Sequence, residues 1–173
     1  DTSAPDTSAS DTTVAEETTA VPAGPASPVD GKWAISDGSE VGYRVEEDIN
    51  GFKTAANGRT TSITGTFEIA GETLTSGEFS VEVATLKSDQ LRRDNQLRGR
   101  IMEVDKYPTA DFKLTAPVKI GEIPAEGQQT TISVTGDLTI KGTTKSVTFD
   151  LTATWKNGRI GVFGNIPVVF ADY

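Results

Sequence analysis

The sequence predicts an all-β domain, an antiparallel β-barrel with one short helix, preceded by a disordered N-terminal tail. Three observations predict it. From Trp33 onward, apolar and polar residues alternate with a period of two in six successive runs, the pattern of half-buried antiparallel strands. Glycine-containing turn pairs punctuate this part of the chain. One segment, Ser88 to Met102, drops the alternation, and its Leu91, Leu97 and Ile101 fall roughly on one helical face.

The tail comes first. Residues 1–31 are mostly Asp, Glu, Thr, Ser, Ala and Pro and hold no aromatic side chain. Asp1, Asp6, Asp11, Glu16, Glu17 and Asp30, with no Lys or Arg among them, place −6 of the formal −9 in the first 30 residues. Such a stretch buries too little apolar surface to offset the entropy of ordering it. Pro22, Pro25 and Pro28 stiffen its last third. The expectation is a disordered tether over 1–31 and a barrel domain over 32–173. A chain that starts at Asp1 rather than Met fits removal of a secretory or lipoprotein signal, and fits a chosen expression boundary equally well.

The strands follow in order. Val41, Tyr43 and Val45 form the first full run, and Ile63, Gly65, Phe67 and Ile69 the second. Phe79, Val81 and Val83 form the third, and Phe112, Leu114, Ala116 and Val118 the fourth. Ile132, Val134, Gly136, Leu138 and Ile140 make the fifth; Val147, Phe149, Leu151, Ala153 and Trp155 make the sixth. Their polar partners are rich in Thr, which suits a pleated surface. The turn pairs are Asn50-Gly51, Asn57-Gly58, Ala70-Gly71, Lys141-Gly142 and Asn157-Gly158, the last being the best hairpin signal.

The exception, SDQLRRDNQLRGRIM at 88–102, predicts a helix over about 89–97. Ser88 is placed to cap it, and Asp89 stands in the favourable first turn. It should end before Gly99, and Pro108 forbids continuation. Meandering strands with one helical interruption favour a closed or nearly closed barrel over a sandwich. Gly65 and Gly136 on the apolar face either permit sharp bending or make space for a ligand, and bending is the default.

Composition excludes several chemistries. The 173 residues contain no Cys and no His, so there is no thiol nucleophile, disulfide, Cys/His zinc site or Ser-His-Asp triad. The acidic balance argues against a nucleic-acid footprint. No apolar run approaches the roughly 20 residues of a membrane-spanning helix. Glu46, Glu47 and Asp48 do not make a glycosidase pair, because strand alternation sends Glu46 and Glu47 to opposite faces. Glu103 and Asp105 lack the glycine and further acids of a calcium loop. No metal site and no catalytic residue is predicted.

Four ordered motifs then identify a relationship. Trp33-Ala34-Ile35 leads to Ser39-Glu40-Val41-Gly42-Tyr43; RRDNQLRGRIM at 92–102 is followed by Tyr107-Pro108-Thr109-Ala110-Asp111-Phe112. GDLTIKGTTKSV spans 136–147, and GNIPVVFADY closes the chain at 164–173. Together, over about 32–173, they resemble the YceI-like family, in an actinobacterial-type variant. The resemblance implies a lipocalin-like barrel exported from bacteria, with an elongated apolar cavity for long isoprenoid lipids. It therefore implies a non-enzymatic binder, carrier or store of a polyprenyl chain or isoprenoid quinone, secreted or lipid-anchored at the cell envelope. No cofactor is required beyond such a bound lipid. Partners would be an apolar lipid and, through a processed N-terminus, a membrane. The alternative is a packed structural or interaction domain with no lipid. Family members run on into one more strand after the final Asp-Tyr, so the resemblance also implies an open seam in a chain that stops at Tyr173.

The aromatics on the apolar faces either fill a packed barrel or line a hollow one, and alternation alone does not separate these. The resemblance favours lining. The expected cavity residues are Tyr43, Phe67, Phe79, Val81, Phe112, Leu114, Val134, Gly136, Leu138, Phe149 and Leu151. Arg92, Arg93 and Asp94 either dock the helix onto the barrel or hold a lipid head group at a mouth near the helix. Docking is favoured, because adjacent opposite charges on a helix point to different neighbours.

Overall fold

The computed structural model describes residues 27–49 and 51–173. The longest alternating runs make the spine of the fold. Strands β8 (Gln129–Ile140) and β9 (Thr143–Lys156) pair antiparallel from Gln129↔Thr154 to Ile140↔Thr143. The turn between them has Lys141 at φ 51° and Gly142 at φ 75°, the left-handed pair that a two-residue hairpin of matching twist needs. On the polar face Thr hydroxyls pair across the strands, Thr135 with Thr148 at 2.7 Å and Thr139 with Thr144 at 2.8 Å.

The sheet grows from this hairpin in both directions. Its order is β1 (Gly31–Ala34), β4 (Ile63–Ala70), β5 (Thr73–Glu82), β6 (Thr109–Leu114), β8, β9 and β10 (Arg159–Gly164). A short β7 (Val118–Lys119) also pairs with β5. All pairings are antiparallel. The sheet curls strongly into a half-barrel, and among the described residues β1 and β10 are its edges. A separate hairpin, β2 (Val41–Ile49) with β3 (Phe52–Thr60), stands apart from this sheet. It is joined to the segment before the helix by an antiparallel bridge between Arg59 and Lys87 and by a 2.6 Å bond between the Thr60 and Thr85 hydroxyls.

Four expectations change. The tether boundary moves: residues 27–31 belong to the domain. Val29 is buried in the core, its carbonyl accepts from the Trp33 indole at 2.8 Å, and the Asp30 carboxylate accepts from Gly71 N at 2.6 Å. The single apolar Val29 and the Asp30 carboxylate anchor a stretch whose composition reads as tail. The tether expectation for 1–26 lies outside the described residues.

Asn57-Gly58 is not a turn but the middle of β3, a strand with too few large apolar residues to show alternation. Its inward residues are Ala56, Gly58 and Thr60, all buried. The fourth run breaks after Leu114, because Pro117 has no N–H to give a ladder; Val118 then joins β5 instead.

The helix α1 spans Leu91–Gln96 and continues as a wider π-type turn over Leu97–Ile101, carrying Gly99 within it. Ser88 does not cap it. The N-cap is Gln90, without a side-chain bond, and the Ser88 hydroxyl is committed to Asp94.

Candidate functional site

The inner face of the curled sheet is apolar but not filled. It bounds a partly open hollow of about 1030 Å³, lined on its other side by β2, the loop before it and the segment 165–170. That volume stands at the upper end of ordinary ligand cavities. Ten of the eleven expected residues line it. Tyr43 comes from β2 and Phe67 from β4; Phe79 and Val81 come from β5, Phe112 and Leu114 from β6. Val134 and Leu138 come from β8, Phe149 and Leu151 from β9. Three of the rings form a continuous wall: Phe79 stacks on Phe112 at 5.2 Å, and Phe149 meets Phe112 edge-on at 5.3 Å.

Gly136 is the exception. It is buried, but the Phe112 ring lies on it. A Cβ there would stand 2.4 Å from Phe112 Cζ and 2.5 Å from the Lys113 carbonyl oxygen. Gly136 therefore makes room for a neighbouring ring and strand, not for a ligand. Gly65 is similar, with its would-be Cβ 2.3 Å from the Glu78 carbonyl oxygen. Gly77 on β5, by contrast, lines the hollow with its nearest would-be Cβ contacts 3.6 Å and 4.0 Å away.

The hollow has two unlike ends. Val83, Leu86, Leu97 and Met102 close one of them, and all four are buried. Sequence reasoning missed Leu97 and Met102 as lining residues, because they lie in the segment assigned to docking; their place in a Leu-Met helical turn was the available signal. The charged lining lies elsewhere: Glu40, Arg44 and Glu46 on β2 and the loop before it, and Glu78 on β5. On the β2 side Arg44 pairs with Glu46 at 3.6 Å and Glu40 with Arg59 at 3.1 Å, at exposed positions. The helix end is thus the apolar end. Arg92, Arg93 and Asp94 do not line the hollow, so the expected head-group mouth near the helix is not formed. Charged side chains there would have faced Leu86, Leu97 and Met102 without water.

Asp94 instead docks the helix. Its carboxylate is 4% exposed and accepts from the Ser88 hydroxyl at 2.7 Å and the Ser88 N–H at 2.9 Å. The hydroxyl bond does most to hold the carboxyl below its usual range. Burial opposes this and is outweighed, with help from the Ser88 N–H and the Arg98 and Arg93 charges. Arg93 pairs with Asp89 one turn back, and Arg98 donates to the Leu86 carbonyl at 3.3 Å. The Tyr43 hydroxyl is buried close to this cluster, beside Ser88, and makes no well-formed hydrogen bond among the described residues. Burial, then the Asp94 charge, pushes its pKa up. Among the described residues no group of three or more acidic side chains is placed to hold a metal ion.

A curled antiparallel sheet around an apolar hollow is a lipocalin-like architecture. Residues 33–173 match the family model described as the YceI-like domain, and the chain belongs to that family. A UPF0312 protein of Vibrio parahaemolyticus is 30% identical over 125 residues, covering 67% of this chain and 62% of its own length. A UPF0312 protein of Pseudomonas putida is 40% identical over 73 residues, covering 42% of this chain and 34% of its own. The chain thus spans less than two thirds of the length of these relatives. Among solved structures, BcnA of Burkholderia cenocepacia superposes with a TM-score of 0.60 at 22% identity, over 75% of this chain and 77% of that one. A polyisoprenoid binding domain from Saccharophagus degradans, implicated in plant cell wall breakdown, superposes with a TM-score of 0.57 at 16% identity, over 71% and 68%. These two likenesses show the fold.

Proposed function

We propose that this protein binds a long apolar isoprenoid lipid, a polyprenyl chain or the tail of an isoprenoid quinone, and carries or stores it at the cell envelope without chemical change. The observation that carries the reading is the unfilled apolar hollow of about 1030 Å³. The shared fold with a polyisoprenoid binding domain supports it. The driving force is burial: about 0.8 kcal/mol per CH₂, or roughly 4 kcal/mol per five-carbon unit, on the usual area scale. About five units then give ~20 kcal/mol against ordering costs of ~4–15 kcal/mol, which leaves room for micromolar binding. A polar head would rest on the β2 side, where Arg44 and Glu46 stand, and the tail would run towards Leu97 and Met102.

The packed-domain alternative needs a filled centre, and the size of the hollow speaks against it. Native mass spectrometry of the purified protein, with organic extraction of the same sample, tests the reading. A co-purifying isoprenoid at near-stoichiometric amount is expected. A ligand-free protein that takes up no isoprenoid from a detergent dispersion would overturn it.

A further inference from the structure

The charged side chains of the Arg-rich stretch around helix α1 do not line the hollow. Residues 87–106 hold six Lys or Arg against four Asp or Glu, a local surplus in a chain of net −9. Two of the four acids are spent locally: Asp89 pairs with Arg93, and Asp94 is buried on Ser88. A third, Glu103, pairs with Lys141 at 2.8 Å. Arg92 and Arg100 are exposed, and among the described residues no ion pair forms on either. Eight residues apart on the helical turn, they point away from the buried Asp94, Leu97 and Met102. Two large apolar side chains flank them in sequence, Leu91 at 71% exposure and Ile101 at 41%.

Uncovered Leu and Ile beside unpaired Arg is the composition of a segment that rests on a lipid–water interface. The apolar side chains enter the headgroup boundary, and the guanidinium groups stay with anionic phosphates. The charge of the remote chain is screened over about 8–10 Å at physiological salt, so the local surplus decides. We propose that the turn 91–101 is the face by which this protein docks onto an anionic phospholipid bilayer. Leu97 and Met102, which close the apolar end of the hollow, lie in and next to the same turn. Docking there sets that end against the membrane. The inference concerns where the molecule sits and goes beyond its cargo, and the assay below reads docking alone.

The test is flotation of the purified chain with vesicles of pure phosphatidylcholine and of equal phosphatidylcholine and phosphatidylglycerol. Binding to the mixed vesicles is expected, at least tenfold above the zwitterionic ones and falling as salt is raised. Arg92→Gln with Arg100→Gln should reduce it about tenfold or more, and Leu91→Ser with Ile101→Ser should also weaken it. All four positions are exposed or half-exposed, so circular dichroism should show an unchanged fold. Phe52→Ser removes a 75% exposed ring at the tip of the β2–β3 hairpin and should leave binding intact. Equal partition into both vesicle types, no partition at all, or arginine variants that float like the parent would overturn the proposal.

Discussion

Asp94 and Ser88 are locked together by two hydrogen bonds to one carboxylate oxygen, from the Ser88 hydroxyl at 2.7 Å and its N–H at 2.9 Å. The pair ties helix α1 to the chain that enters it, in place of a helix cap. Asp94→Ala should lower stability by about 1–3 kcal/mol, since it takes a charged acceptor from the half-buried Ser88 hydroxyl and N–H. Ser88→Ala should recover part of the same loss. The sign of the pH dependence follows from the lowered pKa. A carboxyl depressed in the folded state contributes stability above its unfolded value, near 3.9, and loses it as pH falls through the lower folded value. Urea melts at pH 7 and pH 3 should show the gap between the parent and Asp94→Ala shrinking at the lower pH. A gap that is constant or widens on acidification contradicts this account.

The Tyr43 ring lies on Gly58 of the facing strand, at register Tyr43↔Gly58. A Cβ at Gly58 would stand 2.2 Å from Tyr43 Cε1. Gly58→Ala should therefore cost about 1–3 kcal/mol by overpacking. In a Tyr43→Ala background the same change should cost nothing, because the obstructing ring is gone. A double-mutant cycle reads the coupling; additive effects would show that the ring moves aside freely. Tyr43→Phe should change stability by less than about 1 kcal/mol, since the hydroxyl it removes lies beside Ser88 but makes no well-formed hydrogen bond among the described residues.

Strand β10 is an open edge that carries Phe163, 75% exposed and outside the hollow. Unpaired backbone with an exposed aromatic ring invites edge-to-edge pairing. Phe163→Lys should raise the concentration at which the protein aggregates and leave its melting temperature within about 2 °C, as for an ordinary surface change. Light scattering during concentration checks this. Unchanged aggregation would place the sticky surface elsewhere, with Phe52, also 75% exposed, the next candidate.

The runs that were legible in the sequence are those with large side chains on one face. Phe79-Val81 and Val134-Leu138 become β5 and β8 because alternation reports burial directly. Strand β3 was not legible, since its buried face is Ala56, Gly58 and Thr60 and small residues give no hydropathy signal. Gly58 then read as a turn for the same reason that it is needed: only a missing Cβ admits the Tyr43 ring. The roles of Gly136 and Gly77 were also out of reach. Both alternate correctly for the inner face, and only the three-dimensional approach of Phe112 to one of them distinguishes a packing glycine from an open one. The anchoring of Val29 and Asp30 depends on partners at Trp33 and Gly71, which local composition does not display.

Gly77 provides the most direct test of the central claim, that the hollow is a lipid site. Its Cβ position opens onto the hollow with nothing nearer than 3.6 Å, and its strand conformation accepts a side chain. Gly77→Leu should fill the hollow from within while leaving the melting temperature unchanged or higher. The measurement is a titration of parent and variant with a fluorescent isoprenoid analogue. The account predicts saturable micromolar or tighter binding by the parent and at least tenfold weaker binding by a fully folded Gly77→Leu. Equal affinity of the two proteins, or no saturable binding by the parent, would contradict it.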